Sequence, residues 1–201
     1  MARTLKERYK QPKAKIELHG KVDPELVGRP LGFDEAETLN EADKFQKSIQ
    51  ILNKLLKIHP TNSKSLALKA DNLWNLYKNK ESIIECKKAI KFDPRNPDAW
   101  HILALNYEDL EDYTQAISAI KKFVKIKNNA HGYYHLGVFY DKKGDVRKAR
   151  KFFDIGLKKD PDYVDLVIAK AEFLSKNNQK KNAIKFIDQY LSRAKPAEKI
   201  Y

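Results

Sequence analysis

The stretch that decides the fold is AHGYYHLGVFYDKKGDVRKARKFFDIGLKKDPDY, residues 130–163. Two sets of side chains recur in it at three- and four-residue steps: Tyr133, Leu136, Gly137 and Tyr140, then Ala149, Phe153 and Gly156. At 3.6 residues per turn each set falls on one face, which predicts two consecutive amphipathic helices. Gly144-Asp145 between them reads as a helix stop followed by a helix start. Asp160-Pro161 closes the second helix, because the residue before a proline avoids the helical region.

Working outward, the same unit recurs. Pro60 and Pro94 lie 34 residues apart and end the similar strings LLKIHP and AIKFDP, and GLKKDP ends at Pro161, 67 residues beyond Pro94. In register, the blocks are residues 63–96, 97–129, 130–163 and 164–196, with an incomplete block over 29–62. Counting slots from the start of each block, slot 4 holds Leu66, Trp100, Tyr133 and Val167, and slot 8 holds Ala70, Ala104, Gly137 and Ala171. Slot 11 holds Leu73, Tyr107, Tyr140 and Leu174, and slot 20 holds Ser82, Ala116, Ala149 and Ala183. Only small residues at slots 8 and 20 let the two helices of a block cross closely, and larger ones fill the space on either side.

This pattern resembles the tetratricopeptide repeat family, on Tyr133, Leu136-Gly137, Tyr140, Ala149, Phe153 and Pro161, and on Trp100, Leu103-Ala104, Tyr107 and Ala116 in the preceding block. The second block departs from it with Asn128 where a proline is expected, and Lys69 and Lys170 replace the usual leucine in blocks one and four. The resemblance covers about residues 29–196. It implies an all-α, right-handed α-solenoid of helix-turn-helix repeats, four full ones plus a degenerate N-terminal cap at 29–62. Residues 1–28 match nothing and are expected to form a basic, largely unstructured arm, with seven Lys/Arg and two Glu in the first 21 residues; 197–201 are a short tail.

Composition agrees with a folded helical protein: 42% hydrophobic, 33% charged, and only seven glycines and eight prolines in 201 residues. The single cysteine, Cys86, excludes an internal disulfide and a cysteine-based zinc cluster, and fits a reducing cytoplasm. No run approaches the length of a membrane-spanning helix, and the basic N-terminus lacks the apolar core of a secretory signal, so the cytoplasm is the expected location. The net charge of +13 favours acidic partners or polyanions. It segregates: second helices carry rows such as Lys121, Lys122, Lys125 and Lys127, whereas first helices carry Asp71, Asp98, Glu108 and Asp109.

Stacked helix pairs of this kind bind extended segments on a concave face lined by first helices. Slots 2, 5, 9, 12 and 13, opposite the packing stripe, place Trp74, Asn75, His101, Leu105, Glu108, Asp109, His131, Tyr134, Val138 and Ile168 there. Trp74 occupies a slot with no duty inside its own hairpin. It reads either as an interface anchor or as packing against the neighbouring first helix. His131 and His135 are spaced i, i+4, with His101 in the preceding first helix; polar groove residues are the better reading, and no metal or cofactor is assigned. The family includes grooves that clamp a chaperone's C-terminal carboxylate with Lys, Asn and Arg, but the matching slots here offer Ala67, Asp71, Ile102, His131 and His135, which do not supply that clamp.

Phosphate-cradling loops, a G-x-S-x-G elbow and H-E-x-x-H are absent from the sequence, so a non-enzymatic scaffold or adaptor binding a protein segment is expected. The alternative is association with RNA, ribosomes or an acidic surface through the basic arm and the lysine-rich second helices. In block four, Ile184 and Leu191, flanked by Phe186, stand where a next repeat would pack, and Pro196 ends the helix. They are expected to form an association surface, most simply a weak homodimer contact.

Overall fold

The computed structural model describes residues 30–193, so the expected basic arm, Pro196 and the C-terminal tail lie outside the described residues. Ten helices and no strand occur among the described residues, in two compact units divided after Asp109. The first unit contains α1 (Phe33–Glu41), α2 (Phe45–Ile58), α3 (Ser63–Asn75), α4 (Asn79–Phe92) and α5 (Pro97–Asp109). The second contains α6 (Tyr113–Lys127), α7 (Ala130–Lys142), α8 (Val146–Lys159), α9 (Val164–Lys176) and α10 (Lys180–Arg193). The helices α3, α5, α7 and α9 therefore start at the first residues of the four full blocks, and α1/α2 form the hairpin of the incomplete one.

Local chemistry explains where the helices begin. The side chains of Asn62, Asn96 and Asn129 accept from the backbone N–H groups of Ser65, Ala99 and Gly132, filling donors that a helix start leaves empty. Asp112 and Asp145 do the same for α6 and α8. Between the helices of every block one residue adopts a left-handed conformation: Asp43, Tyr77, Glu111, Gly144 and Asn178, all at slot 15. A left-handed residue after a helix turns the chain sharply, and only Gly144 does so without the Cβ penalty.

In the first unit α1 packs on α2 and α3 on α4, and α5 lies against both α3 and α4. Its buried clusters are Phe33, Ala36, Leu52 and Leu55, then Leu66, Ala67, Ala89 and Ala99. In the second, α7 packs on α6 and α8, and α9 on α7, α8 and α10. That core is aromatic, with Phe123, Phe139, Phe153 and Phe173 fully buried. Gly137 shows why slot 8 must be small: a Cβ there would lie 2.4 Å from the ring of Phe153.

Candidate binding face on the first helices

In the first unit the candidate residues lie on α3 and α5, with Trp74, Asn75, Glu108 and Asp109 at the C-terminal ends of these helices. Trp74 does not stand free in solvent, as its slot had allowed. It is only 6% exposed, and its indole N–H donates to Asp109 Oδ2 at 2.6 Å. In this unit α3 packs on α5, so the slot of Trp74 faces the next first helix instead of water. Asn75, His101 and Leu105 are buried as well, while Glu108 is half-buried and Asp109 exposed. Asn79 Nδ2 also approaches Asp109 Oδ2, at 3.4 Å.

Asp71, one turn before Asn75, is the most perturbed group of this face. It is 3% exposed, and burial pushes its carboxyl up to about 7; a hydrogen bond from Asn40 opposes the shift and the charge of Asp98 adds to it. Asn40 Nδ2 donates to Asp71 Oδ2 at 2.8 Å, tying α1 to α3. Asn75 Nδ2 donates to the Asp71 backbone carbonyl at 3.0 Å. Asp71 Oδ1 and Asn75 Oδ1 are both buried without a hydrogen-bond donor. Cys86 on α4 is buried as well, and burial pushes its thiol up, away from the reactive thiolate.

In the second unit the candidates form an aromatic cluster. His131 Nδ1 and the Tyr163 hydroxyl are 2.8 Å apart, a contact that ties the start of α7 to the residue before α9. The rings of His131 and His135 meet edge-on at 4.7 Å, and Tyr134 lies edge-on to His135 at 4.9 Å and to Tyr163 at 6.1 Å. His131 and His135 are buried, Tyr134 and Val138 half-buried, and Ile168 is 51% exposed. Lys176 on α9 bridges to Asp141 on α7 at 3.0 Å. Tyr163, the partner of His131, closes its block at slot 34, outside the chosen slots, and Asn40, the partner of Asp71, stands at slot 12 of the incomplete block, whose slots were not among those chosen.

The second helices are basic in both units, with Lys87, Lys88 and Lys91 exposed on α4, and Lys121, Lys122, Lys125 and Lys127 on α6. Lys121 and Lys148 lie over the Tyr140 ring at 5.6 and 5.3 Å, and Tyr140 stacks on Phe152. On α10, Ile184 and Leu191 are 62% and 61% exposed beside a shallow depression of about 480 Å³ lined by Lys181, Lys185, Asp188, Gln189 and Ser192. Phe186, grouped with them from the sequence, is instead half-buried, with the Lys170 ammonium 4.6 Å from its ring centre. No helix among the described residues is long and apolar enough to cross a membrane.

Among curated proteins, the chain is 28% identical over 97 residues to an N-terminal acetyltransferase A complex subunit-like protein of Schizosaccharomyces pombe, covering 48% of this chain and 14% of that one. It is 25% identical over 160 residues to anaphase-promoting complex subunit 7 of Mus musculus, covering 74% of this chain and 27% of that one. The chain thus spans between about a seventh and about a quarter of the length of these relatives. Among solved structures, MamA aligns with a TM-score of 0.70 at 21% identity, over 82% of this chain and 94% of that one. YrrB, described as a TPR protein with an unusual peptide-binding site, aligns at 0.64 and 15%, over 84% and 88%. The model of the tetratricopeptide repeat matches residues 97–129 and 130–163, the two blocks whose helices start at Pro97 and Ala130. Residues 97–129 and 130–163 thus match two tetratricopeptide repeats, and the described residues share the helical architecture of these solved structures.

Proposed function

We propose that the chain is a non-enzymatic scaffold that receives a segment of another protein on its first helices. The observation that carries this reading is the set of apolar and aromatic side chains at first-helix slots off the stripe that packs each hairpin. In the second unit these are Tyr134, Val138 and Ile168, all still accessible. In the first unit the Trp74–Asp109 bond holds the ends of α3 and α5 in one arrangement, which lowers the ordering cost of binding there. Two relatives carry names of complex subunits, and the name of YrrB describes a peptide-binding site. The test is affinity capture with the full chain and with a Tyr134→Ala/Ile168→Glu variant of unchanged helicity. Captured proteins should be lost from the variant; equal capture by both would contradict the reading.

A second reading rests on the basic second helices of the second unit, where Lys121, Lys122, Lys125 and Lys127 stand exposed on α6 as a cationic row. Parallel capture after nuclease treatment distinguishes it, since a polyanion-mediated catch disappears with the nucleic acid and weakens steeply with salt. The exposed Ile184 and Leu191 also suit a weak self-contact, since burying each such side chain contributes roughly 1.5–3 kcal/mol. Sedimentation at several concentrations, with an Ile184→Glu/Leu191→Glu variant beside the wild type, tests it; a concentration-independent monomer in both would rule it out.

A further inference from the structure

The first helices of the first unit go against the charge of the chain. The whole sequence is +13, yet α1, α3 and α5 carry Asp34, Glu35, Glu37, Glu41, Asp71, Asp98, Glu108 and Asp109 against only Lys64 and Lys69. The second helices of the same unit are lysine-rich, so this acidity is local to one helix set and is not a matter of composition. The second unit shows no such excess: α7 and α9 hold Asp141, Asp165 and Glu172 against Lys142, Lys170 and Lys176.

Within this acidic set lie two acceptors that folding has left without donors. Asp71 Oδ1 and Asn75 Oδ1 are one helical turn apart on α3, on side chains 3% and 8% exposed. Leaving a buried acceptor unpaired costs about 1–3 kcal/mol, and more when it is charged. The other polar atoms of both side chains are already engaged, with Asn40 on Asp71 Oδ2 and the Asp71 carbonyl on Asn75 Nδ2. What these two oxygens lack is a donor, and beside Asp98 the electrostatics favour a cationic one. A lysine ammonium carries three donors on a thin stem, and an arginine fork carries five, so either has donors enough for two such oxygens. A carboxylate or an apolar side chain satisfies neither.

We infer that the first helices of the first unit select a basic partner segment, with one lysine or arginine head group received by Asp71 and Asn75. The inference rests on the first-helix binding reading above and names the chemistry of the segment. Such a cation would hold Asp71 ionised in a place where burial alone favours its neutral form.

The test uses the full chain on an array of random nine-residue peptides, each set with one fixed central residue: Lys, Arg, Gln, Leu or Glu. The Lys or Arg sets should bind about tenfold more strongly than the Gln and Leu sets, one charge-assisted hydrogen-bonded contact being of that order. Asp71→Asn and Asn75→Ala, each checked for unchanged helicity, should remove most of that preference while peptide binding as such persists. The two variants serve as alternatives should one fail to fold. Binding without preference for Lys or Arg would overturn the inference and leave the scaffold reading intact, as would a preference that survives both substitutions. An array with no binding at any fixed residue would overturn the scaffold reading and this inference with it.

Discussion

The two units solve the same packing problem with different chemistry. In the first, slot 20 is serine and slot 10 of the next block is asparagine. Ser48 Oγ donates to the Ala36 carbonyl at 2.7 Å and accepts from Asn72 Nδ2 at 3.0 Å. Ser82 repeats this with the Ala70 carbonyl at 2.7 Å and Asn106 at 2.8 Å. Each serine thus joins three helices through one hydroxyl. In the second unit the same slots hold Ala116 with Phe139 and Ala149 with Phe173, all buried, and Phe173 packs 5.4 Å from the Phe153 ring. One unit sets its repeat-to-repeat register with directional bonds, the other with aromatic volume. Directional bonds penalise a slipped register through unpaired groups, whereas volume penalises it through cavities and clashes.

The substitutions that break this contrast differ in size. Phe153→Ala should cost the most, about 3–5 kcal/mol, because it empties the centre of the aromatic core. Gly137→Ala should follow at about 1–3 kcal/mol, since the buried Phe153 ring has nowhere to retreat. In the first unit Ser82→Ala should cost about 1–3 kcal/mol by leaving the Ala70 carbonyl and the Asn106 amide each one partner short. The double variant Ser82→Ala/Asn106→Leu, which imports the apolar pattern of the second unit, should recover part of that loss. Additive costs in denaturant unfolding would show that the serine and asparagine do not act as a pair.

A different kind of effect depends on pH. Asp71 ionises near 7 in the folded chain, against an ordinary 3.8, chiefly because burial penalises its charge. Between those values the folded state holds a proton that the unfolded state has released. This group's contribution is therefore fully present at low pH and falls as pH rises towards 7, by up to about 1.4 kcal/mol per pH unit. Asp71→Asn should flatten that slope and stabilise the chain at pH 8 more than at pH 5. Thermal melts across this range in which wild type and variant run parallel would show that Asp71 is not the titrating group.

Much of this architecture was legible in the sequence, because hairpin packing leaves a mark at fixed slots. The spacing of Tyr133, Gly137, Ala149 and Phe153 was enough to place two helices and their close crossing. The serine–asparagine pairs were equally periodic, with Ser48 and Ser82 each 24 residues before Asn72 and Asn106, but a polar residue at slot 10 carries no hydrophobic signal. The turn residues Tyr77 and Glu111 were invisible as left-handed positions, since neither residue type prefers that conformation and only Gly144 declared it. The candidate face was the least legible part. Helical periodicity says that Trp74 points away from its own hairpin, but whether it then meets water or Asp109 depends on how neighbouring first helices stack, a long-range contact that slot counting does not contain.

The central claim is that the first helices, and not the basic second helices, receive the partner. A fluorescence anisotropy titration of a labelled segment of a captured partner protein tests it most directly, using the wild type, Tyr134→Ala/Ile168→Glu and Lys121→Glu/Lys125→Glu at low and at moderate salt. The first-helix variant should weaken binding at least about tenfold, equivalent to 1.4 kcal/mol, while the second-helix variant binds like the wild type. The opposite ranking, with affinity lost on replacing Lys121 and Lys125 and retained without Tyr134 and Ile168, would contradict the account.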